Sequence, residues 1–147
     1  MVAGACENWL GTPDPVQELS DAATLSMQRR EYSAAEATYE EAIALAENSD
    51  QLLQDLAALY LAWERPEKGL AALEGISGSH MASSLDARVL QAQLLGAGKQ
   101  WADAITAASA ILSDAPTNGA VWQTLTEAYL GLTAFTSYNW LTQFDST

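Results

Sequence analysis

Histidine and cysteine are almost absent from this sequence of 147 residues, and their scarcity excludes several kinds of chemistry. Cys6 is the only cysteine, so no disulfide can form within the chain. A zinc site needs several cysteine or histidine ligands, and a serine or cysteine nucleophile usually needs a histidine base. Because His80 is the only histidine, we expect no metal, no cofactor and no enzyme activity.

Basic residues are also few, since 6 lysines and arginines stand against 19 acidic residues, a net charge of −13. Residues 1–76 carry a net −10 and residues 77–147 a net −3. We expect no nucleic-acid partner, because binding to phosphates needs a basic surface. The acidic first half is either a solvated face or a surface for a basic protein. No apolar run reaches 18 residues, so no transmembrane segment is expected.

The sequence does contain a periodic series of small residues, which we call the register. It has two series, spaced by 34 or 35 residues: Ala23, Ala57, Ala92 and Thr126, and, twelve residues later, Ala35, Gly69 and Ala104. Small residues at fixed intervals allow two helices of each unit to cross closely. The register resembles the tetratricopeptide repeat (TPR). That resemblance implies an all-α fold, a right-handed α-solenoid of stacked helix-turn-helix repeats.

The register divides the chain into a tether or cap (1–15), a repeat domain (16–132) and an aromatic capping segment (133–147). The repeats are expected at 16–49, 50–84, 85–118 and, in part, 119–132. The capping segment diverges because Tyr138 stands where the register expects Ala or Gly. It is either an atypical cap of the stack or an aromatic tail that docks into a groove, its own or a neighbour's. Residues 78–83, Gly-Ser-His-Met-Ala-Ser, resemble a cloning scar. Such a scar would make the chain an engineered repeat protein, with a replaced loop or two fused repeat fragments.

The compartment depends on Cys6. Residues 2–6, Val-Ala-Gly-Ala-Cys, resemble the end of a bacterial lipoprotein signal peptide, in which small residues precede the lipidated cysteine. A lipidated Cys6 predicts a periplasmic or outer-membrane TPR lipoprotein. The cytoplasm is the default if the match arose by chance.

The family resemblance also implies which residues bind a partner, because the first helix of each TPR lines a groove that holds a peptide or helix. The four repeats contribute, in order, Gln17, Ser20, Thr24 and Met27; Gln51, Gln54, Ala58 and Leu61; Asp86, Val89, Gln93 and Gly96; and Ala120, Gln123, Glu127 and Leu130. This set is rich in amides and nearly free of positive charge. The glutamines are either donors and acceptors for a bound backbone or solvated surface.

Three functions follow from these features. The first is a non-catalytic adaptor or scaffold whose groove binds a protein partner. The second is self-assembly into a homo-oligomer, through an interface of Phe135, Tyr138, Trp140 and Phe144. The third is an acidic decoy for a basic protein, which depends on charge alone.

Overall fold

The computed structural model describes residues 13–145 and the side chains of residues 13–143. Within that range the chain is all helical, with no strand. Its helices are α1 Pro15–Gln28, α2 Tyr32–Leu45, α3 Asp50–Ala62, α4 Pro66–Glu74, α5 Gly78–Ser83, α6 Leu85–Ala97, α7 Trp101–Asp114 and α8 Gly119–Asp145. The chain divides into two compact units at Leu52 and Leu53, within α3. Unit 1 ends at Leu52, and unit 2 begins at Leu53.

Three turns share one backbone geometry. Arg30, Glu64 and Lys99, which follow α1, α3 and α6, have positive φ angles of 62°, 59° and 61°. The N–H of the next residue bonds the carbonyl five residues earlier in each case: Glu31 to Ser26, Arg65 to Tyr60 and Gln100 to Leu95. This is the Schellman ending of a helix. The 34-residue register therefore repeats in the backbone as well as in the small residues.

Unit 1 is a hairpin of α1 and α2. Asp14 begins it by accepting a hydrogen bond from the N–H of Val16, and Pro15 occupies the first helical position, where no N–H is needed. Ala23 and Ala35, the small residues of the register, are both fully buried. Tyr39 is buried too, with its hydroxyl 3.2 Å from the Thr24 hydroxyl. The hairpin thus combines close helix packing with a satisfied buried hydroxyl.

Unit 2 has an apolar interior of two clusters built from the later helices. One cluster contains Ala57, Leu73, Ile76, Leu90 and Leu94, and a second contains Ala92, Ala108, Ile111 and Val121. Gly69 belongs to the register, and a Cβ on it would lie only 2.5 Å from Leu94 Cδ2. Only glycine therefore fits this crossing of α4 and α6 without displacing Leu94.

Residues 78–83, which resemble a cloning scar, form the short helix α5. The Ser77 side chain accepts from the N–H of His80 at its start, and Met81 packs against the first apolar cluster. The His80 Nε2 and Gln54 Oε1 atoms are 2.9 Å apart. Whatever its origin, the segment is packed into unit 2.

The final helix, α8, continues through the position where a fourth turn would fall. That position is Thr133, 34 residues after Lys99. A β-branched residue rarely adopts a positive φ, and the Thr133 hydroxyl instead donates to the carbonyls of Tyr129 and Leu130, both at 3.0 Å. Residues 133–145 therefore extend α8 rather than folding back as a second helix of the repeat. No helix in the described range is long and apolar enough to cross a membrane.

Thr126 shows the consequence of this extension. The corresponding Ala23, Ala57 and Ala92 are fully buried, whereas Thr126 is exposed. Within residues 13–145, no second helix of its own repeat lies over it. The all-α fold class is confirmed.

Candidate functional site

A pocket of about 310 Å³ in unit 2 brings together several of the predicted groove residues. We call it the unit 2 groove. It lies among α3, α6, α7 and α8. Its lining residues are Leu61, Gln93, Gly96, Ala97, Trp101, Ala120, Gln123, Thr124 and Glu127.

The apolar wall of the unit 2 groove depends on Trp101 at the start of α7. A Cβ built on Gly131 would lie 2.5 Å from Cε2 of Trp101, so the absence of a side chain there lets the indole approach α8. Leu61 forms the wall from α3 and also packs against the apolar cluster of Ala57 and Leu94. These contacts give the groove a firm apolar side, against which an apolar ligand group can pack.

The polar wall consists mainly of glutamine and glutamate side chains. Gln93 is half-buried on α6, and Gln123 and Glu127 are exposed on α8. Gln123 Nε2 donates to Glu127 Oε1 at 3.0 Å, one helical turn away. This bond orients the Glu127 carboxylate, which is the one charged group among the described residues that line the pocket. The polar wall therefore offers one carboxylate and two amide groups as hydrogen-bonding partners.

Other predicted groove residues of unit 2 lie outside this pocket. The Gln54 Oε1 atom lies near His80 Nε2 and accepts from Ser84 Oγ at 3.3 Å, so its amide is engaged within the fold. Ala58 and Val89 are half-buried and pack against the two apolar clusters. The remaining pair, Asp86 and Leu130, are exposed at the start of α6 and on α8.

The predicted groove residues of unit 1 lie on α1 and at the start of α3. Gln17 donates to Asp21 Oδ1 at 2.8 Å, and the Thr24 hydroxyl donates to the Ser20 carbonyl at 2.9 Å. Met27 is half-buried and Gln51 is exposed. Their role in partner binding stays a prediction.

The predicted aromatic interface lies on the C-terminal half of α8. Phe135, Tyr138 and Trp140 are 58%, 68% and 62% exposed. Cys6, the predicted lipidation site, and the side chain of Phe144 lie outside the described part of the chain.

Sequence reasoning missed Ala97, Trp101 and Thr124 as lining residues. The register placed Trp101 in the second helix of repeat three, whereas only first helices were expected in the groove. The available signal was the pairing of a large aromatic residue with an unusual glycine, Gly131, in the middle of a helix. Residues 13–143 contain no group of three or more histidine, cysteine, aspartate or glutamate side chains arranged to hold a metal ion.

Comparison with known proteins identifies the fold. No protein-family profile matches the chain, and no curated protein sequence matches it. Among solved structures, the NMR structure of the first TPR domain of human RPAP3 is similar, with a TM-score of 0.71 and 14% sequence identity. The match covers 82% of this chain and 96% of that domain. The fold is therefore TPR-like, as the resemblance to that family implied.

Proposed function

We propose that this TPR-like protein is a non-catalytic adaptor that binds a peptide segment of a partner in the unit 2 groove. The observation that carries the proposal is the convergence of Leu61, Gln93, Gln123 and Glu127 on one pocket. The groove was expected from the family resemblance, and these four residues come from three different helices. Their convergence gives a single surface where a ligand can contact apolar and polar groups together.

The chemistry of the pocket favours a particular kind of segment. Its volume of 310 Å³ is at the lower end of the range of about 300–1,000 Å³ for small-molecule sites, which suits one or two peptide side chains. An apolar side chain can pack against Leu61 and Trp101. A lysine or arginine nearby can pair with Glu127, whose charge no basic residue of the lining offsets. The proposed ligand is a peptide that carries an apolar residue close to a basic one.

The test begins by selecting ligands from a random peptide library displayed on phage, and then measures affinity by fluorescence polarisation. We expect Glu127→Gln to weaken binding about two- to fivefold, the effect of losing an exposed ion pair. Ala120→Trp, which fills the pocket from its rim, should weaken binding more strongly. Glu74→Gln removes a charge outside the groove and serves as the matched control.

Two results would reject the proposal. The first is a selection that yields peptides with no basic residue. The second is an unchanged affinity in both groove variants. Ala58→Arg is a poorer choice than these variants, because Ala58 packs against the apolar core and its replacement would also perturb folding.

A further inference from the structure

A second surface runs along α8 on a side that the unit 2 groove does not use. It consists of side chains spaced alternately by four and three residues, which places them on one side of a helix. We call it the outer stripe, and it contains Trp122, Thr126, Tyr129, Thr133, Thr136 and Trp140. All six residues are exposed, and the aromatic Trp122, Tyr129 and Trp140 are 50%, 51% and 62% exposed. No charged residue occurs between Glu127 and Asp145.

The outer stripe is symmetrical in sequence about Gly131. Trp122 and Trp140 each lie nine residues from Gly131, and Thr126 and Thr136 each lie five residues away. Tyr129 and Thr133 are each two residues away. Two such helices packed antiparallel with a two-fold axis at Gly131 would therefore place tryptophan against tryptophan and threonine against threonine. A two-fold interface requires this kind of self-complementary surface.

Four polar groups of the stripe are already hydrogen-bonded within α8 and its preceding loop. The hydroxyls of Thr126, Thr133 and Thr136 donate to carbonyls of their own helix, at 2.9, 3.0 and 3.1 Å. Trp122 Nε1 donates to the Pro116 carbonyl at 2.8 Å. Burial of a polar group is costly mainly when it leaves a donor or acceptor unpaired. Covering the stripe with an apolar surface would therefore leave these four donors paired.

The size of the surface fits a second copy. Each large aromatic side chain offers about 150–250 Å², so the exposed part of each of the three rings is about 100 Å². The three rings give about 300 Å² per copy and the threonines add to this, so a pair buries less than about 1,200 Å² and the dimer belongs to the weak, transient class of interfaces.

We propose that the outer stripe of α8 pairs antiparallel with the same stripe of a second copy to form a two-fold dimer. The pairing supplies a covering helix to the last repeat, because α8 does not turn at Thr133 and no second helix of that repeat follows within the described residues. The interface contains no ion pair, and each copy carries a net charge of −13. Added salt should therefore strengthen the dimer by screening repulsion between the copies.

Sedimentation equilibrium of the full chain measures the dissociation constant of the dimer. Thr126→Lys and Thr136→Glu, made separately, should each raise it by about tenfold or more, because an unpaired charge is then buried. The double variant should restore most of the affinity. In the antiparallel register, the ammonium introduced at position 126 faces the carboxylate introduced at position 136 of the second copy.

Ser109→Lys adds the same charge on an exposed part of α7 and is the matched control. Three outcomes would overturn the proposal: a chain that stays monomeric at every concentration, single variants that dimerise like the unmodified chain, or a double variant that remains weakened. The last result would exclude the antiparallel register. Dimerisation that weakens with salt would contradict an uncharged interface.

Discussion

Gly131→Ala tests the contact that shapes the apolar wall of the unit 2 groove. A Cβ at this position would lie 2.5, 2.6 and 2.7 Å from three carbons of the Trp101 indole. Carbon atoms pack at about 3.5–4.0 Å, so the ring must retreat by about 1 Å. Overpacking of this kind costs about 1–3 kcal/mol. Alanine, however, favours the interior of a helix over glycine by about 1 kcal/mol.

Overpacking lowers the free energy of unfolding, whereas the helix preference of alanine raises it. Making the substitution with and without Trp101 separates the two effects. With Trp101 present, we expect Gly131→Ala to lower the free energy of unfolding by up to about 2 kcal/mol, because overpacking exceeds the helix preference. In a Trp101→Ala background the clash is absent, and the same substitution should raise the free energy of unfolding by about 1 kcal/mol. The difference between the backgrounds is the coupling energy of the contact.

Urea unfolding followed by far-ultraviolet circular dichroism gives the four free energies. Gly96→Ala is the matched control, because a Cβ there meets only Thr124 Cγ2, at 3.9 Å. It should stabilise the protein by about 0.5–1 kcal/mol in both backgrounds. If Gly131→Ala is equally stabilising with and without Trp101, the indole does not pack on α8, and the apolar wall described above is wrong.

Two further substitutions test the turns and the core. Lys99 has a φ of 61°, so Lys99→Gly should leave the free energy of unfolding unchanged or raise it by up to about 1 kcal/mol. Lys99→Val should lower it by about 1–2 kcal/mol, because a β-branched residue is strained at this φ. Equal unfolding midpoints for the two variants would argue against a left-handed turn. Leu94 is fully buried in the larger apolar cluster. Leu94→Ala should therefore lower the free energy of unfolding by about 2–5 kcal/mol in the same urea assay. A decrease of less than about 1 kcal/mol would contradict its central position.

The sequence predicted the repeated helix pairs because their constraint is local and periodic. Ala23, Ala57 and Ala92 are fully buried, and a larger side chain at such a position would separate packed helices. The resemblance to the TPR family, in turn, implied Leu61, Gln93, Gln123 and Glu127 as groove residues. The structure brings these four to one pocket, although their role in binding stays a prediction.

The engaged side chain of Gln54 and the left-handed turns could not be predicted from the sequence. The first depends on contacts between distant residues, and the second depends on backbone geometry. Gln54 looked available for a ligand, and only the three-dimensional fold brings His80 and Ser84 to its side chain. The left-handed turns are equally hidden, since Arg30 and Glu64 are not the glycine that such a position favours. Without that signal, Thr133 could not be recognised as the residue at which the fourth turn fails.

The two proposed surfaces can be separated because they occupy different sides of one helix. Val121 and Ala128 of α8 are fully buried. Glu127 faces the groove, while Thr126, its neighbour in sequence, is displaced around the helix by about 100° and lies on the outer stripe. Glu127→Gln should therefore weaken peptide binding without changing the dimer, and Thr126→Lys should weaken the dimer without changing peptide affinity. A substitution that altered both properties would mean that ligand binding and dimerisation share one surface, and both assignments would then have to be redrawn.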